Sequence, residues 1–458
     1  MESLTVREIL TATGGILRAG SEEEVISSFS TDTRTLRSGD FFIALTGKNF
    51  DGHAFLAEAI AKKAAGLLVC HGAPLPTPLP LLTISVPDTL VALGQIARAW
   101  RVTLGPAVIA ITGSNGKTTT KEMTRAVLQE AGPVWASPGN LNNLIGLPLT
   151  LFGLRSSHGW VVVELGMSAP KEIHQLCEIC LPDVGVITNI GEAHLEFLGS
   201  LEAVAAAKGE MLPFLGGEKV TILNLDDPYL NGLLPQVRGR LLTFGFSTGA
   251  DLVATEVTWG KDGTTTFLLC RGRERHTVHL PTVGYHNVIN AAAAAAVGTV
   301  YGLPLPVIAQ GLARTPAAPM RMQRVRLKNG GTLINDAYNA NPSSMRAALA
   351  TFFQMKKRGR AILILGDMLE LGAASAKAHH EIGTFLAPYA PDLLITVGSA
   401  SEAIGRAAAA GGLDTRRIRH CADHAEARRL LERELRSDSW VFLKGSRGMR
   451  LETIVEGL

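Results

Sequence analysis

Hydrophobic and polar positions along the 458 residues follow two rhythms. Short apolar runs rich in β-branched residues, at 108–111, 160–163, 184–187 and 220–223, predict buried strands. Between them apolar residues recur at helical spacing. Leu90, Leu93, Ala97 and Trp100 share one helix face, and Met123, Ala126, Val127 and Ala131 share another. Both ends of the chain repeat the alternation. Near the start, 40–45 reads as a strand, 54–65 as a helix and 67–69 as a short strand. Near the end, 332–334, 361–365, 393–397 and 440–443 read as strands. Strands alternating with helices imply largely parallel sheets. Over 241–280 the rhythm changes to period two around Lys261-Asp262-Gly263, a hairpin signal that predicts an antiparallel flap on the parallel sheet. The alanine-rich run 291–296 predicts a tightly packed helix.

Proline clusters punctuate the pattern twice, at Pro74, Pro76, Pro78, Pro80 and Pro87, and again at Pro304, Pro306, Pro316 and Pro319. Read as linkers, they divide the chain into three α/β domains, 1–84, 85–312 and 313–458. Such units on hinges are built to close around substrates. A hydrophobic content of 46% supports several buried cores. Lys and Arg number 44 against 41 Asp and Glu, a net +3 too balanced for a nucleic-acid surface. The basic cluster Lys356-Lys357-Arg358 is short and reads as a solvated face. Five cysteines are too few and odd in number for a secreted disulfide framework. Glu2, Arg7 and Glu8 interrupt any apolar leader, and no apolar run reaches the roughly 18 residues of a membrane span. The expectation is a soluble cytoplasmic protein with no membrane insertion.

The most informative chemistry lies where the strand at 108–111 runs into Thr112-Gly113-Ser114-Asn115-Gly116-Lys117-Thr118-Thr119. A strand, a glycine turn and a helix N-terminus make a phosphate cradle. Backbone N–H groups and the helix dipole favour the anion, the lysine adds charge, and a hydroxyl can hold Mg²⁺. The common pattern wants glycine at position 111, where this chain has Ile111, so the loop is a shortened one. A nucleoside triphosphate is the expected ligand. Glu164 ends an apolar strand, where its carboxylate can face the loop and hold Mg²⁺. His194 and Lys208 are unremarkable taken alone. Cys177 and Cys180 with His174, and likewise His420, Cys421 and His424, read as packing, because no second cysteine pair completes a zinc site. In the first unit, Thr46-Gly47-Lys48-Asn49-Phe50-Asp51-Gly52-His53 is a polar loop at a strand end, a reasonable ligand site. The turn Thr31-Asp32-Thr33-Arg34 can place a guanidinium on a phosphate or simply be a surface turn.

Taken together, these segments resemble the Mur ligases, the ATP-dependent amino-acid and peptide ligases of bacterial cell-wall precursor synthesis. The shortened phosphate loop is the family's form. Glu164, Thr188-Asn189 through His194, Lys208, Gly284-Tyr285-His286-Asn287-Val288-Ile289-Asn290 and Arg321 follow in the family's order. The segments 139–148, 335–342, 366–372 and 444–447 look most like the member that adds a dipeptide. Two positions depart from the pattern: Asn335 stands where an acidic residue is usual, and Met320 where a glycine usually precedes the arginine.

The resemblance implies a three-domain α/β fold, with a central phosphate-loop parallel sheet and flap and a Rossmann-like C-terminal domain. It implies that ATP is held by Gly113, Ser114, Asn115, Gly116, Lys117, Thr118 and Thr119, with Asn287 and Asn290 at the adenine, Asp336 at the ribose and Arg321 at the γ-phosphate. Thr118 and Glu164 would serve one Mg²⁺, and His194 and a carbamylated Lys208 a second. Thr31, Asp32, Arg34, Thr46, Gly47, Asn49, Asp51, His53, Asn140 and Asn143 would bind a UDP-N-acetylmuramoyl-tripeptide, and Asn339, Asn341, Lys444 and Arg447 would lie near D-alanyl-D-alanine. The implied enzyme is a monomer. Other ligases of the same build (third-residue-adding, folylpolyglutamate or cyanophycin type) are the near alternatives, and a phosphate-loop switch ATPase the distant one.

Overall fold

A computed structural model describes the chain except Met1, Lys48, Asn49, residues 77–80, Lys261, Asp262, Ala317 and Lys357. The candidate Asn49 and two of the three hairpin-turn residues therefore lie outside the described residues. Three large sheets follow one another along the chain. The first runs Ile16–Ala19, Leu82–Val86, Gly66–Cys70, Phe41–Ile43, Phe29–Ser30. Leu82–Val86 is wholly buried and pairs on both sides, so a strand occupies the stretch read as a linker and crosses residue 84. Proline is tolerated at strand ends, and here it brackets the strand rather than replacing it. The helix expected over 54–65 is shorter, a 3₁₀ turn Gly52–Phe55 followed by Leu56–Ala61. Lys63 ends it in a left-handed conformation, φ +60°.

Among the described residues the central sheet has nine strands: Glu274–Leu280, Thr265–Arg271, Leu252–Trp259, Arg240–Gly245, Val220–Asn224, Val184–Ile187, Ala107–Thr112, Trp160–Glu164 and Val134–Ala136. Arg240–Gly245 pairs parallel with Val220–Asn224, so the antiparallel part begins only at Leu252 and extends the same sheet instead of hanging from it. Period-two burial is clear in Thr265–Arg271, whereas Arg240–Gly245 carries an exposed half and a buried half. The second proline stretch is also partly ordered. Pro304 and Pro306 start the helix Leu305–Ala313, whose Gly311 lies so close to the Val127 backbone that a Cβ would meet it at 2.6 Å.

The third sheet runs Gln323–Arg326, Thr332–Asn335, Trp440–Lys444, Ala361–Gly366, Leu393–Val397, Ile418–Cys421, parallel except for the first strand. An aromatic cluster docks the first unit: Phe29 stacks on Phe152 at 4.2 Å and meets Trp100 edge-on at 5.9 Å. Trp100 belongs to the helix Thr89–Leu104, so one apolar core runs from the first sheet into the second. Among the described residues no helix is long and apolar enough to cross a membrane.

Candidate active site

In the central sheet the chain leaves Ala107–Thr112 to build one neighbour, Trp160–Glu164, and returns to build the other, Val184–Ile187. The carboxyl ends of these three strands frame a topological switch point, where open α/β sheets bind ligands. They deliver Gly113, Glu164 and Thr188 to one place. Gly113 has φ +146° and Gly116 φ +82°. A side chain on Gly113 would collide with the Thr188 hydroxyl, and one on Gly116 with the Asn290 amide. The glycines are therefore required by both backbone and space.

The helix Lys117–Gln129 begins without a side-chain cap, so its first N–H groups are left for an anion. Lys117 Nζ folds back onto its own loop, donating to Gly113 O at 2.9 Å. Burial lowers its pKa, Glu164 opposes that, and Arg321 adds to the lowering. Thr118 Oγ1 donates to Glu164 Oε2 at 2.7 Å, and Arg321 Nη2 donates to Thr118 Oγ1 at 2.9 Å. Arg321 comes from the third domain, its guanidinium carbon over the Tyr338 ring, 3.9 Å from the ring centre. Met320 and Met322, on either side of it, are both left-handed at φ +55° and +51°. The glycine usual in the family at 320 now has a reason, since it would hold this turn without strain.

Glu164 is 2% exposed, and its second oxygen accepts from Asn142 Nδ2 at 2.8 Å. A buried carboxylate contacted by one hydroxyl and one amide suits a single hard cation whose remaining ligands are phosphate and water. Among the described residues no three His, Cys, Asp or Glu side chains cluster as an all-protein cage, which fits that kind of site. Lys121 ties down the loop that carries Asn142. Fully buried, it donates to Ser137 O at 2.6 Å and Gly139 O at 2.9 Å, anchoring the asparagine-rich loop.

A cleft of about 750 Å³ opens over these groups. Of the expected nucleotide residues, 114–119, Asn287, Asn290, Arg321 and Asp336 line it, as do His286, Tyr285 and Phe246. Asn287 and Asn290 are buried and already engaged. Asn287 Nδ2 donates to Val283 O at 2.6 Å, and Asn290 Oδ1 accepts from Thr120 at 3.3 Å. Asp336 accepts from Met322 N at 2.9 Å and from Lys444 Nζ at 2.5 Å, which ties its carboxylate to the Arg321 turn. Lys444 also donates to Asn339 O, and Asn341 caps the helix Pro342–Met355, so these two dipeptide-side candidates have structural duties. Asn339, Asn341, Lys444 and Arg447 all line the cleft, and Arg447 is paired with Glu452 at 2.6 Å.

Asn341 and Ser343 also reach the phosphate loop. Asn341 Nδ2 donates to Asn115 Oδ1 at 2.8 Å, and Asn115 Nδ2 donates to Ser343 Oγ at 2.9 Å. His194 lines the cleft with its Nδ1 2.7 Å from Glu370 Oε2. Burial lowers its pKa, Glu370 opposes the shift, and Lys117 and Lys208 reinforce it. Lys208 is 2% exposed on the helix Leu201–Gly209, and among the described residues its ammonium has no hydrogen-bond or ion-pair partner. Burial first and Lys117 second push its pKa well below the usual lysine value. A shift in that direction favours the neutral amine, the nucleophilic form of a lysine.

The precursor candidates divide. Asn140 and Asn143 line the cleft, but Thr31, Asp32, Arg34, Thr46, Gly47, Asp51 and His53 do not. Arg34 folds onto Asp32 at 2.6 Å and holds that carboxyl at about 2. His53 is spent on its own loop: Cys70 N donates to Nε2 at 2.9 Å, leaving Nδ1 to donate to Asp51 Oδ1 at 2.6 Å. Thr46 Oγ1 donates to the same Asp51 oxygen at 3.2 Å, and Gly47 N donates to Phe50 O at 2.9 Å. Sequence reasoning missed Asn142, Tyr338 and Glu370. Asn142 stands between two nominated asparagines, and only the loop geometry singles it out.

A phosphate loop at a switch point, with a second α/β domain supplying an arginine over it, defines a multidomain phosphate-loop nucleotide enzyme. Two family matches cover most of the chain: the Mur ligase middle domain over 111–298, and the Mur ligase, glutamate ligase domain over 320–447. The UDP-N-acetylmuramoyl-tripeptide–D-alanyl-D-alanine ligase of Bacillus subtilis is 38% identical over 95% of this chain and 94% of its own. Its Escherichia coli counterpart is 36% identical over 100% and 99%. The crystal structure of MurF from Acinetobacter baumannii superposes with a TM-score of 0.90 at 33% identity, covering 99% and 98% of the two chains. MurF ligase from Thermotoga maritima in complex with ADP gives 0.81 at 29% identity, covering 94% and 96%. The chain belongs to the Mur ligase family.

Proposed function

We propose that the chain joins D-alanyl-D-alanine to UDP-N-acetylmuramoyl-tripeptide at the expense of ATP, giving the UDP-pentapeptide precursor of peptidoglycan. The observation that carries the reading is the meeting of Arg321 with Thr118 and Glu164 above an uncapped phosphate-loop helix. It is supported by full-length similarity to ligases named for those two substrates, one of them solved with ADP. In this reading the amides of 113–119 and Lys117 cradle the β- and γ-phosphates. Asn287, Asn290 and Asp336 shape the nucleoside end, and Arg321 meets the γ-phosphate. An oxygen of the tripeptide's terminal carboxylate attacks the γ-phosphorus, and the bond to ADP breaks. The dipeptide amine, having lost a proton, then attacks the acyl phosphate carbonyl, and inorganic phosphate leaves. Catalysis is largely positioning and charge neutralisation, with closure keeping water from the acyl phosphate.

Thr118 and Glu164 would hold one Mg²⁺, and His194 and Lys208 would serve a second. When bound, the metal neutralises charge on the transferring phosphoryl group. Lys208 contributes as a carbamate: its neutral amine adds to CO₂ and releases a proton, turning a repelling cation into an anion. The first domain would take the UDP part, the central domain ATP and the third the dipeptide. The chain would act as a cytoplasmic monomer. The test supplies ATP, Mg²⁺, UDP-tripeptide and D-alanyl-D-alanine separately and together and weighs the product. UDP-pentapeptide formed only in the complete mixture is expected. Phosphate release indifferent to both peptides would overturn the assignment.

A further inference from the structure

Among the described residues three polar contacts join the third domain to the His194 loop. Glu370 Oε2 lies 2.7 Å from His194 Nδ1, Glu196 N donates to Glu370 O at 3.2 Å, and Arg346 pairs with Glu192 at 2.7 Å. At the first contact both partners are strained. His194 sits at φ +58° and Glu370 at φ +62°, left-handed conformations that non-glycine residues adopt at a cost of about 1–2 kcal/mol each. Gly372, also left-handed at φ +53°, lets the loop pass Glu196, where a Cβ would come within 3.1 Å of the Glu196 Cα. Strain kept on both sides of one contact points to a geometry selected for use. His194 Nδ1 is buried and, though so close to the carboxylate, lies off the axis of a hydrogen bond.

We propose that Glu370 is a positioning residue for His194. The carboxylate fixes the proton on Nδ1 and turns the other ring nitrogen to the cleft that His194 lines, so His194 becomes competent only when the third domain is docked. Histidines that serve a cation commonly donate their second N–H to a carboxylate, and loss of that partner costs about 10–100-fold in affinity or activity. Here the partner comes from another domain, so acceptor-domain docking and assembly of the cation site are one event. The proposal rests on the cation-side reading of His194, yet its first readout needs no cation.

Nitrogen-15 spectra of histidine-labelled enzyme, with H194Q to identify the resonance, report the His194 tautomer. The Nδ1–H form is expected in the wild type and in Glu370→Gln, whose amide oxygen still accepts, and a mixture in Glu370→Ala. Mn²⁺ affinity in the presence of ADP should fall about 10–100-fold in Glu370→Ala and recover partly in Glu370→Gln. Arg346→Ala breaks a neighbouring bridge without touching the ring and should change neither readout. An unchanged tautomer in Glu370→Ala, or equal losses in Glu370→Ala and Arg346→Ala, would reduce Glu370 to a docking contact and overturn the proposal. Folding is not the obstacle, since the Glu370 side chain is 52% exposed.

Discussion

Two loops at strand ends stand out in the sequence as ligand sites, and they use their polar groups in opposite ways. In the phosphate loop the helix N-terminus is uncapped, and among the described residues the Lys117 ammonium is bonded only to carbonyls of its own loop. The helix N–H groups and that ammonium are on offer, while Ser114 and Asn115 brace the loop. In the loop 46–53 the described side chains of Asp51 and His53 are engaged: Asp51 accepts from Thr46, from the His53 backbone and from the His53 ring, whose far nitrogen accepts from Cys70 N. Both loops are glycine-bearing and polar, so composition cannot separate them. Unspent donors are what mark the phosphate loop as ready for an anion.

That contrast is open to breakage at several points. The largest effect belongs to Lys117→Ala, which should lower kcat by about 10³-fold or more while circular dichroism and Tm stay close to wild type. Retained ligase activity would remove the loop from the chemistry. Lys208→Ala should be inactive and partly restored by a short carboxylic acid added to the assay. Normal turnover without the additive would dismiss the carbamate.

On the other side of the comparison, His53→Ala should cost about 1–3 kcal/mol of stability, the usual penalty for stranding buried hydrogen-bond partners, and leave KM for ATP unchanged. If it instead raised KM for the UDP precursor with no loss of stability, the ring would be a ligand and the two loops would be alike. The smallest effect is expected at the Arg321 turn. Met320→Gly should relieve a left-handed methionine and raise stability by up to about 1 kcal/mol, after the entropic cost of glycine is subtracted. A fall in Tm would show that the Met320 side chain, which touches Arg447, matters more than the strain.

Much of this was legible in the sequence because it is local. Apolar runs became strands of the central and third sheets nearly where they were expected, and Ile111 to Thr119 became the strand, turn and helix it promised. What stayed hidden depends on distance or on misleading punctuation. Pro80 and Pro87 concealed a fully buried strand between them. The approach of Glu370 to His194 spans 176 residues, and that of Arg321 to Thr118 spans 203. Neither leaves a periodic trace. Asn142 was passed over for its neighbours because its role depends on where its loop, held at Ser137 and Gly139 by Lys121, meets Glu164.

The central claim is that the γ-phosphoryl group is handed to the peptide's carboxylate before the amide forms. Tripeptide precursor with ¹⁸O in its terminal carboxylate, turned over with unlabelled ATP and D-alanyl-D-alanine, tests it directly. The account predicts one ¹⁸O atom in each inorganic phosphate released, carried there when the acyl C–O bond breaks. Unlabelled phosphate alongside full peptide formation would contradict it.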